Sequence, residues 1–171
     1  MEKIIMLGTG HGFVWILYNT CSLIENGKAK LLVDTGGGID VVRNLTKMGY
    51  DITDIHDIFI SHCHTDHILG LLWILKRMSG LFREGYDVPF NIYCNQEVAE
   101  AIKKLYPAVF PDVLVKAIDE KINIHILYDG EKLKIAGEEF TFFDVHPKGN
   151  QLYGFETVLH NGKKLIFLGD E

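Results

Sequence analysis

The 171-residue sequence predicts an α/β sandwich with mixed sheets, and three observations point that way. Through residue 105, short apolar runs alternate with helical periodicities, the pattern of strands joined by helices. From residue 122 onward, short runs follow one another across tight turn pairs, the pattern of an antiparallel meander. The third is size: 171 residues, 47% of them apolar and 23% charged, suffice for one buried core but not for two ordinary domains. One domain over residues 1–171 is expected.

Residues 3–7 read as the first strand, ending in Gly8-Thr9-Gly10. Gly8, Gly10 and Gly12 miss the Gly-x-Gly-x-x-Gly spacing and no helical pattern follows, so they read as a plain loop rather than a phosphate cradle. Residues 18–25 and 30–34 form a hairpin around Asn26-Gly27, a strong short-range hairpin signal. Asp34 ends that hairpin, where it either orients a ligand or caps a turn or helix. Residues 40–48 read as a helix with Val41, Val42, Leu45 and Met48 on one face, stopped by Gly49. Residues 58–61 are an apolar strand, and 68–75 an apolar helix expected to be buried nearly all round. Residues 91–94 give another strand, and Asn95 caps a helix through Leu105. Residues 107–120 carry two prolines and no clear period, so a loop or short irregular helix is expected there. Strands at 122–127, 132–135, 139–145, 154–160 and 164–168 complete the chain, with turns at Asp129-Gly130, Ala136-Gly137 and Asn161-Gly162.

The chemistry concentrates at Ser61-His62-Cys63-His64-Thr65-Asp66-His67, between the strand at 58–61 and the helix at 68–75. A strand end that feeds a helix is the usual place for a site in an α/β fold. Residues two apart in an extended segment point the same way, so His62 and His64 can offer imidazoles to one ion. The turn into the helix can swing Asp66 and His67 toward a second. Nitrogen and carboxylate donors suit zinc, and iron or manganese would also fit. A single histidine at a strand end is usually just a polar group meeting water; three with an aspartate in six residues are a metal-binding pattern. Cys63, lying between two of these groups, reads as a small buried residue aimed at the opposite face. His11, His56, His125 and His160 lack such a setting and read as structural or surface residues.

His62-Cys63-His64-Thr65-Asp66-His67 resembles the signature of the metallo-β-lactamase-fold hydrolases, in particular their ribonuclease Z-like branch. Leu7-Gly8-Thr9-Gly10 is similar to that branch's opening loop, Val33-Asp34-Thr35-Gly36 to its first acidic motif, and Phe167-Leu168-Gly169-Asp170 to the strand that ends in a bridging aspartate. The resemblance implies a four-layer αββα sandwich. It implies that His62, His64 and His146 hold one ion, that Asp66 and His67 serve a second, and that Asp170 bridges both. It implies two zinc ions in the full-length protein, Asp34 supporting a ligand from behind, and Asp66 orienting the nucleophile and accepting its proton. The activity implied is metal-assisted hydrolysis, of a phosphodiester in a small anionic substrate first of all. A lactone, thioester or ester hydrolase on the same site is the alternative, with a non-catalytic metal-binding fragment as the third reading. Lys148 and Gln151, close behind His146, are candidate contacts for an anionic substrate. Di-iron redox relatives typically carry glutamate where this chain has His64, which speaks against that class.

The chain ends at Glu171, one residue past the bridging position, where family members continue, so a C-terminally truncated fold is expected. Either a longer protein or another chain would complete it, which leaves room for a homodimer. Acids outnumber Lys and Arg 23 to 17, for a net charge of −6, and the basic residues are scattered, so a broad nucleic-acid surface is disfavoured. The interval between His146 and Asp170 holds mostly one hairpin and no tRNA-gripping arm, so tRNA is an unlikely partner. Cys21, Cys63 and Cys94 have no paired spacing, so no disulfide framework is expected. No apolar run is long enough to span a bilayer and the start has no signal-peptide layout, which predicts a cytoplasmic protein without a membrane partner.

Overall fold

The computed structural model describes residues 2–27, 29–145 and 151–170. Its elements in chain order are β1 (Glu2–Gly8), β2 (Cys21–Asn26), β3 (Ala29–Val33), α1 (Asp40–Lys47), β4 (Asp57–Ile60), α2 (Thr65–Arg83), β5 (Phe90–Cys94), α3 (Gln96–Val109), α4 (Asp112–Lys121) and β6 (Ile122–Ile126). A meander of β7 (Lys132–Ile135), β8 (Glu138–Asp144), β9 (Tyr153–Val158) and β10 (Lys164–Phe167) follows. The first six strands make one sheet in sequence order, antiparallel from β1 to β3 and parallel from β3 to β6. The last four make a second, fully antiparallel sheet in the order β10-β9-β8-β7.

Strand alternation sorts the first sheet's side chains into two cores. Leu32, Ile58, Ile60, Ile92 and Cys94 face the helices, where they meet Val41, Leu45, Leu71, Ile74, Val98 and Ile102. Their neighbours Leu31, Val33, Phe59 and Tyr93 face the second sheet, packed against Ile135, Phe140, Phe142 and Phe155. Phe59 is the centre of that inter-sheet layer, with ring centroids 5.4 Å from Phe142, 5.3 Å from Phe155 and 6.1 Å from Phe167. Helices, six-stranded sheet and four-stranded sheet are thus three layers of the expected sandwich. Among the described residues no helix covers the outer face of the second sheet, and none is long and apolar enough to cross a membrane.

Three expectations are corrected. Residues 107–120 are not a loop: α3 runs through Pro107 to Val109, and α4 buries Ala117 and Ile118. Pro107 lies in the last turn of α3, where the bond it cannot donate is lost only two residues before the helix ends, and Pro111 stands at the N-cap of α4 with its φ already set. Residues 122–126 do not open the meander but close the first sheet, parallel to β5, with α3 and α4 as the crossover. The apolar helix α2 starts at Thr65, directly after His64, and its Trp73 is 42% exposed rather than buried.

Gly70 sets the approach of α2 to the loop after β3. A Cβ at Gly70 would lie 1.9 Å from the Thr35 carbonyl oxygen, and the Gly70 N–H instead donates to the Gly36 carbonyl at 2.8 Å. Only a residue without a side chain lets the helix sit this close to Asp34.

Candidate metal centre

The site starts with one buried carboxylate. Asp34 is 1% exposed and holds a left-handed backbone, φ +55°, which aspartate adopts more readily than most residues. Two bonds fix that geometry: the Asp34 N–H donates to the Phe59 carbonyl at 2.8 Å, and the Thr35 N–H donates to the His67 carbonyl at 2.9 Å. The Thr35 hydroxyl adds a 2.7 Å bond to the same carbonyl. Asp34 is thereby locked between the end of β4 and the first turn of α2.

From there Asp34 sets the protons of two imidazoles. It accepts the Ser61 N–H at 2.8 Å and the Ser61 hydroxyl at 2.8 and 3.0 Å. With its proton given to the carboxylate, Ser61 Oγ faces His62 Nδ1 at 3.0 Å as an acceptor, so His62 carries its hydrogen on Nδ1. His67 Nδ1 donates directly to Asp34 Oδ2 at 2.8 Å. Both rings therefore turn their Nε2 atoms the other way, and both meet Asp170: His62 Nε2 lies 3.5 Å from Oδ2 and His67 Nε2 3.0 Å from Oδ1. Asp170 presents one oxygen to each ring, as a bridging carboxylate would. Metal-ligating histidines characteristically give their second ring nitrogen to a carboxylate in this way.

The other predicted residues gather around this pair. Asp66 Oδ2 is 3.3 Å from His67 Nε2, and His64 Nδ1 is 3.0 Å from His62 Nε2. One ligand atom each from His62, His67 and Asp170 fall within 4.8 Å of one another, close enough to share an ion. His64 and Asp66 stand at the edge, on the wall of an open cleft of about 840 Å³ shared with Asp170. The electrostatics invite positive charge. Burial works against the His67 imidazolium, but the Asp34 hydrogen bond and the charges of Asp34, Asp170 and Asp66 outweigh it and raise its pKa to about 9. His62 moves down, through burial first and then the neighbouring His67. Two buried imidazoles under three carboxylates fit a divalent transition metal by donor type as well as by geometry.

His146 and Lys148 lie outside the described residues. Gln151 does not line the cleft; its carbonyl accepts the Asn95 amide at 2.9 Å, and its side-chain oxygen is buried with no partner among the described residues. Two readings are corrected here. Cys63 is exposed, not buried, and lines the cleft beside His64 and Asp66, because β4 ends at Ile60 and strand alternation no longer applies at 63. His11 also lines the cleft mouth, whereas His56, His125 and His160 stay away from it. His160 instead clasps the two sheets, its N–H donating to Glu2 at 2.8 Å and its Nε2 lying 3.0 Å from Glu138. Sequence reasoning missed Ser61 and Thr35, whose hydroxyls complete the Asp34 network. A small hydroxyl residue directly before the histidine run was the available signal for Ser61.

Comparison with known proteins gives a consistent picture. A family model described as "Anti-Pycsar protein Apyc1" matches residues 2–171. Ribonuclease Z of Methanococcus aeolicus is 29% identical over 163 residues, 95% of this chain and 48% of that protein. Anti-Pycsar protein Apyc1 of Paenibacillus xerothermodurans is 38% identical over 69 residues, 40% of this chain and 27% of that one. In three dimensions the chain superposes on the metallo-β-lactamase fold protein YhfI of Bacillus subtilis with a TM-score of 0.76 at 19% identity, covering 99% of this chain and 63% of that one. The chain spans about half the length of the ribonuclease Z relatives it matches.

Proposed function

Because the chain belongs to the Anti-Pycsar Apyc1 family and has the metallo-β-lactamase fold in its ribonuclease Z-like form, we propose that the protein is a metal-dependent hydrolase of phosphodiesters in small anionic substrates. The observation that carries this reading is the single Asp34 network, which aims the Nε2 atoms of His62 and His67 at the two oxygens of Asp170. His62, His64, His67, Asp66 and Asp170 are the residues that would hold the ions, with His146 added from the sequence pattern. Their nitrogen and carboxylate donors favour zinc. When bound, such ions supply Lewis-acid stabilisation of charge on substrate oxygens and an acidified water at neutral pH.

The chain's own residues do the rest. Asp34 and Ser61 keep both imidazoles in one tautomer through the reaction. Asp66, on the cleft wall, orients the attacking oxygen and takes its proton. Gly12, across from it, leaves the carboxylate room to face the substrate; a Cβ there would lie 3.0 Å from Asp66 Oδ2. No lysine or arginine lines the cleft among the described residues, so an anion is welcome only after cations offset the carboxylates. That makes anion binding and metal binding a single property, which favours a phosphate ester over a neutral ester or lactone.

The test is a substrate panel with the full-length, zinc-loaded protein. Bis(4-nitrophenyl) phosphate and cyclic mononucleotides stand for phosphodiesters, set against carboxylic esters, lactones and thioesters. Phosphodiester hydrolysis that falls at least a hundredfold in His64→Ala is the expected outcome. Turnover confined to the lactone or thioester arm would overturn it.

A further inference from the structure

The wall of the cleft holds one imidazole that the metal centre does not use. His64, Asp66 and Asp170 line the cleft as candidate ion holders, and His11 lines it from a different element, the loop between β1 and β2. No lysine or arginine shares that wall among the described residues, so the side-chain donors it offers a phosphate are neutral ones.

Local bonds fix which proton the His11 ring carries. The Phe13 N–H donates to His11 Nδ1 at 3.3 Å, and a backbone N–H can only donate, so Nδ1 is the acceptor and the ring's hydrogen sits on Nε2. His11 is thereby a neutral imidazole with a donor at its far end. That donor has no protein partner among the described residues. The backbone under the ring is held on both sides. The His11 carbonyl accepts the Val14 N–H at 3.0 Å and the Asn19 amide at 3.3 Å, while Asn19 Oδ1 accepts the Gly37 N–H at 3.1 Å. One residue earlier, the Gly10 N–H donates to the Tyr18 carbonyl and the Gly10 carbonyl accepts the Thr20 N–H, both at 2.8 Å. One residue later, Gly12 sits against the Asp66 carboxylate, where a Cβ would lie 3.0 Å from Oδ2. His11 is therefore carried on tied backbone beside Asp66, which faces the attacking oxygen.

A phosphodiester under attack gathers charge on its phosphoryl oxygens, and a donor already in place stabilises that charge without reorganising. A neutral imidazole suits the position, since it donates a hydrogen bond without adding a charge that repels bound cations. Building on the phosphodiesterase reading, we propose that His11 is a catalytic residue whose Nε2–H donates to a phosphoryl oxygen of the substrate as charge builds there in the transition state. His11 gives up no proton. Asp66 takes the proton of the attacking water, the bond from phosphorus to the leaving oxygen breaks, and that oxygen takes a proton from solvent.

Two substitutions separate this role from that of a turn residue. Asparagine puts a side-chain oxygen where Nδ1 stands, so His11→Asn keeps the bond from the Phe13 N–H and removes the far donor. His11→Gln reaches the Nε2 position with an amide N–H and gives up the bond at Nδ1. Hydrolysis of bis(4-nitrophenyl) phosphate is followed with the full-length, zinc-loaded wild type and both variants, and zinc affinity is titrated alongside. In His11→Asn kcat should fall about 100-fold, as for loss of one preorganised donor, with KM and zinc affinity within about threefold of wild type. His11→Gln should keep about a tenth or more of the wild-type kcat. The reverse order, a damaged His11→Gln beside an intact His11→Asn, assigns His11 to the turn and overturns the proposal. A His11→Asn loss that appears only in KM or in zinc affinity overturns it too. Wild-type protein that hydrolyses no phosphodiester refutes the reading on which the proposal rests, whereas an active wild type with an equally active His11→Asn refutes the His11 role alone.

Discussion

Asp34→Asn should dismantle the metal centre without touching a proposed ligand. Asparagine tolerates the left-handed backbone at φ +55° as aspartate does, so the backbone is not the variable. The amide oxygen can still accept the Ser61 N–H, now 2.8 Å from Oδ1. At the Oδ2 position, however, an NH₂ group would face His67 Nδ1 and Ser61 Oγ, each now 2.8 Å away. To accept from it, His67 must move its proton to Nε2. Ser61 keeps its hydroxyl proton on the amide oxygen, 3.0 Å away at the Oδ1 position, so His62 keeps its tautomer. The His67 nitrogen that faces Asp170 is then blocked by one substitution. Loss of such an outer partner costs 10- to 100-fold in metal affinity, about 1.4–2.8 kcal/mol. Metal-free stability should fall by about 1–3 kcal/mol for mismatched buried donors. Asp34→Ala adds left-handed strain and leaves the donors bare, for a loss of about 3–5 kcal/mol. Zinc titration against a chromophoric chelator gives the first number, and urea unfolding in a chelator gives the others. Asp34→Asn that binds zinc with native affinity would refute the tautomer relay.

Two further outcomes test the packing around the site. Alkylation of the native protein should modify Cys63 alone, since Cys21 and Cys94 are buried and burial pushes both thiols up to about 12. Peptide mass mapping should also find Cys63 slowed by zinc with phosphate, and early labelling of Cys21 or Cys94 would contradict the core assignment. Phe59→Ala, which empties the centre of the inter-sheet layer, should cost about 3–5 kcal/mol in urea unfolding, and Phe59→Leu about 1.5 kcal/mol or less. A Phe59→Ala loss under 1 kcal/mol would mean that the two sheets do not meet through this ring.

The parts of the molecule that depend on neighbours in sequence were readable from it. The imidazoles and carboxylate of residues 62–67 lie on one strand end and one helix turn, so spacing alone proposed one ion for His62 and His64 and a second for Asp66 and His67. Hairpins at Asn26-Gly27 and Ala136-Gly137 follow from backbone with positive φ at Gly27, Ala136 and Gly137. What failed were features decided across the fold. Residues 122–126 alternate as apolar and polar, a pattern that suits an edge strand whether its partner runs parallel or antiparallel, and only the crossover through α4 settles the direction. Alternation placed Cys63 on the buried face, but its premise ended with β4 at Ile60. His11 looked ordinary because nothing near it in sequence carries chemistry; the fold of the β1–β2 loop brings it beside Cys63 and His64. Ser61 was overlooked for the opposite reason, being next to the cluster yet chemically mute until Asp34 is seen behind it.

The measurement that bears most directly on the metal centre is anomalous diffraction at the zinc edge from crystals of the zinc-loaded protein. The geometry predicts a peak bounded by the Nε2 atoms of His62 and His67 and the carboxylate of Asp170. Full zinc loading with every anomalous peak elsewhere on the molecule would contradict it.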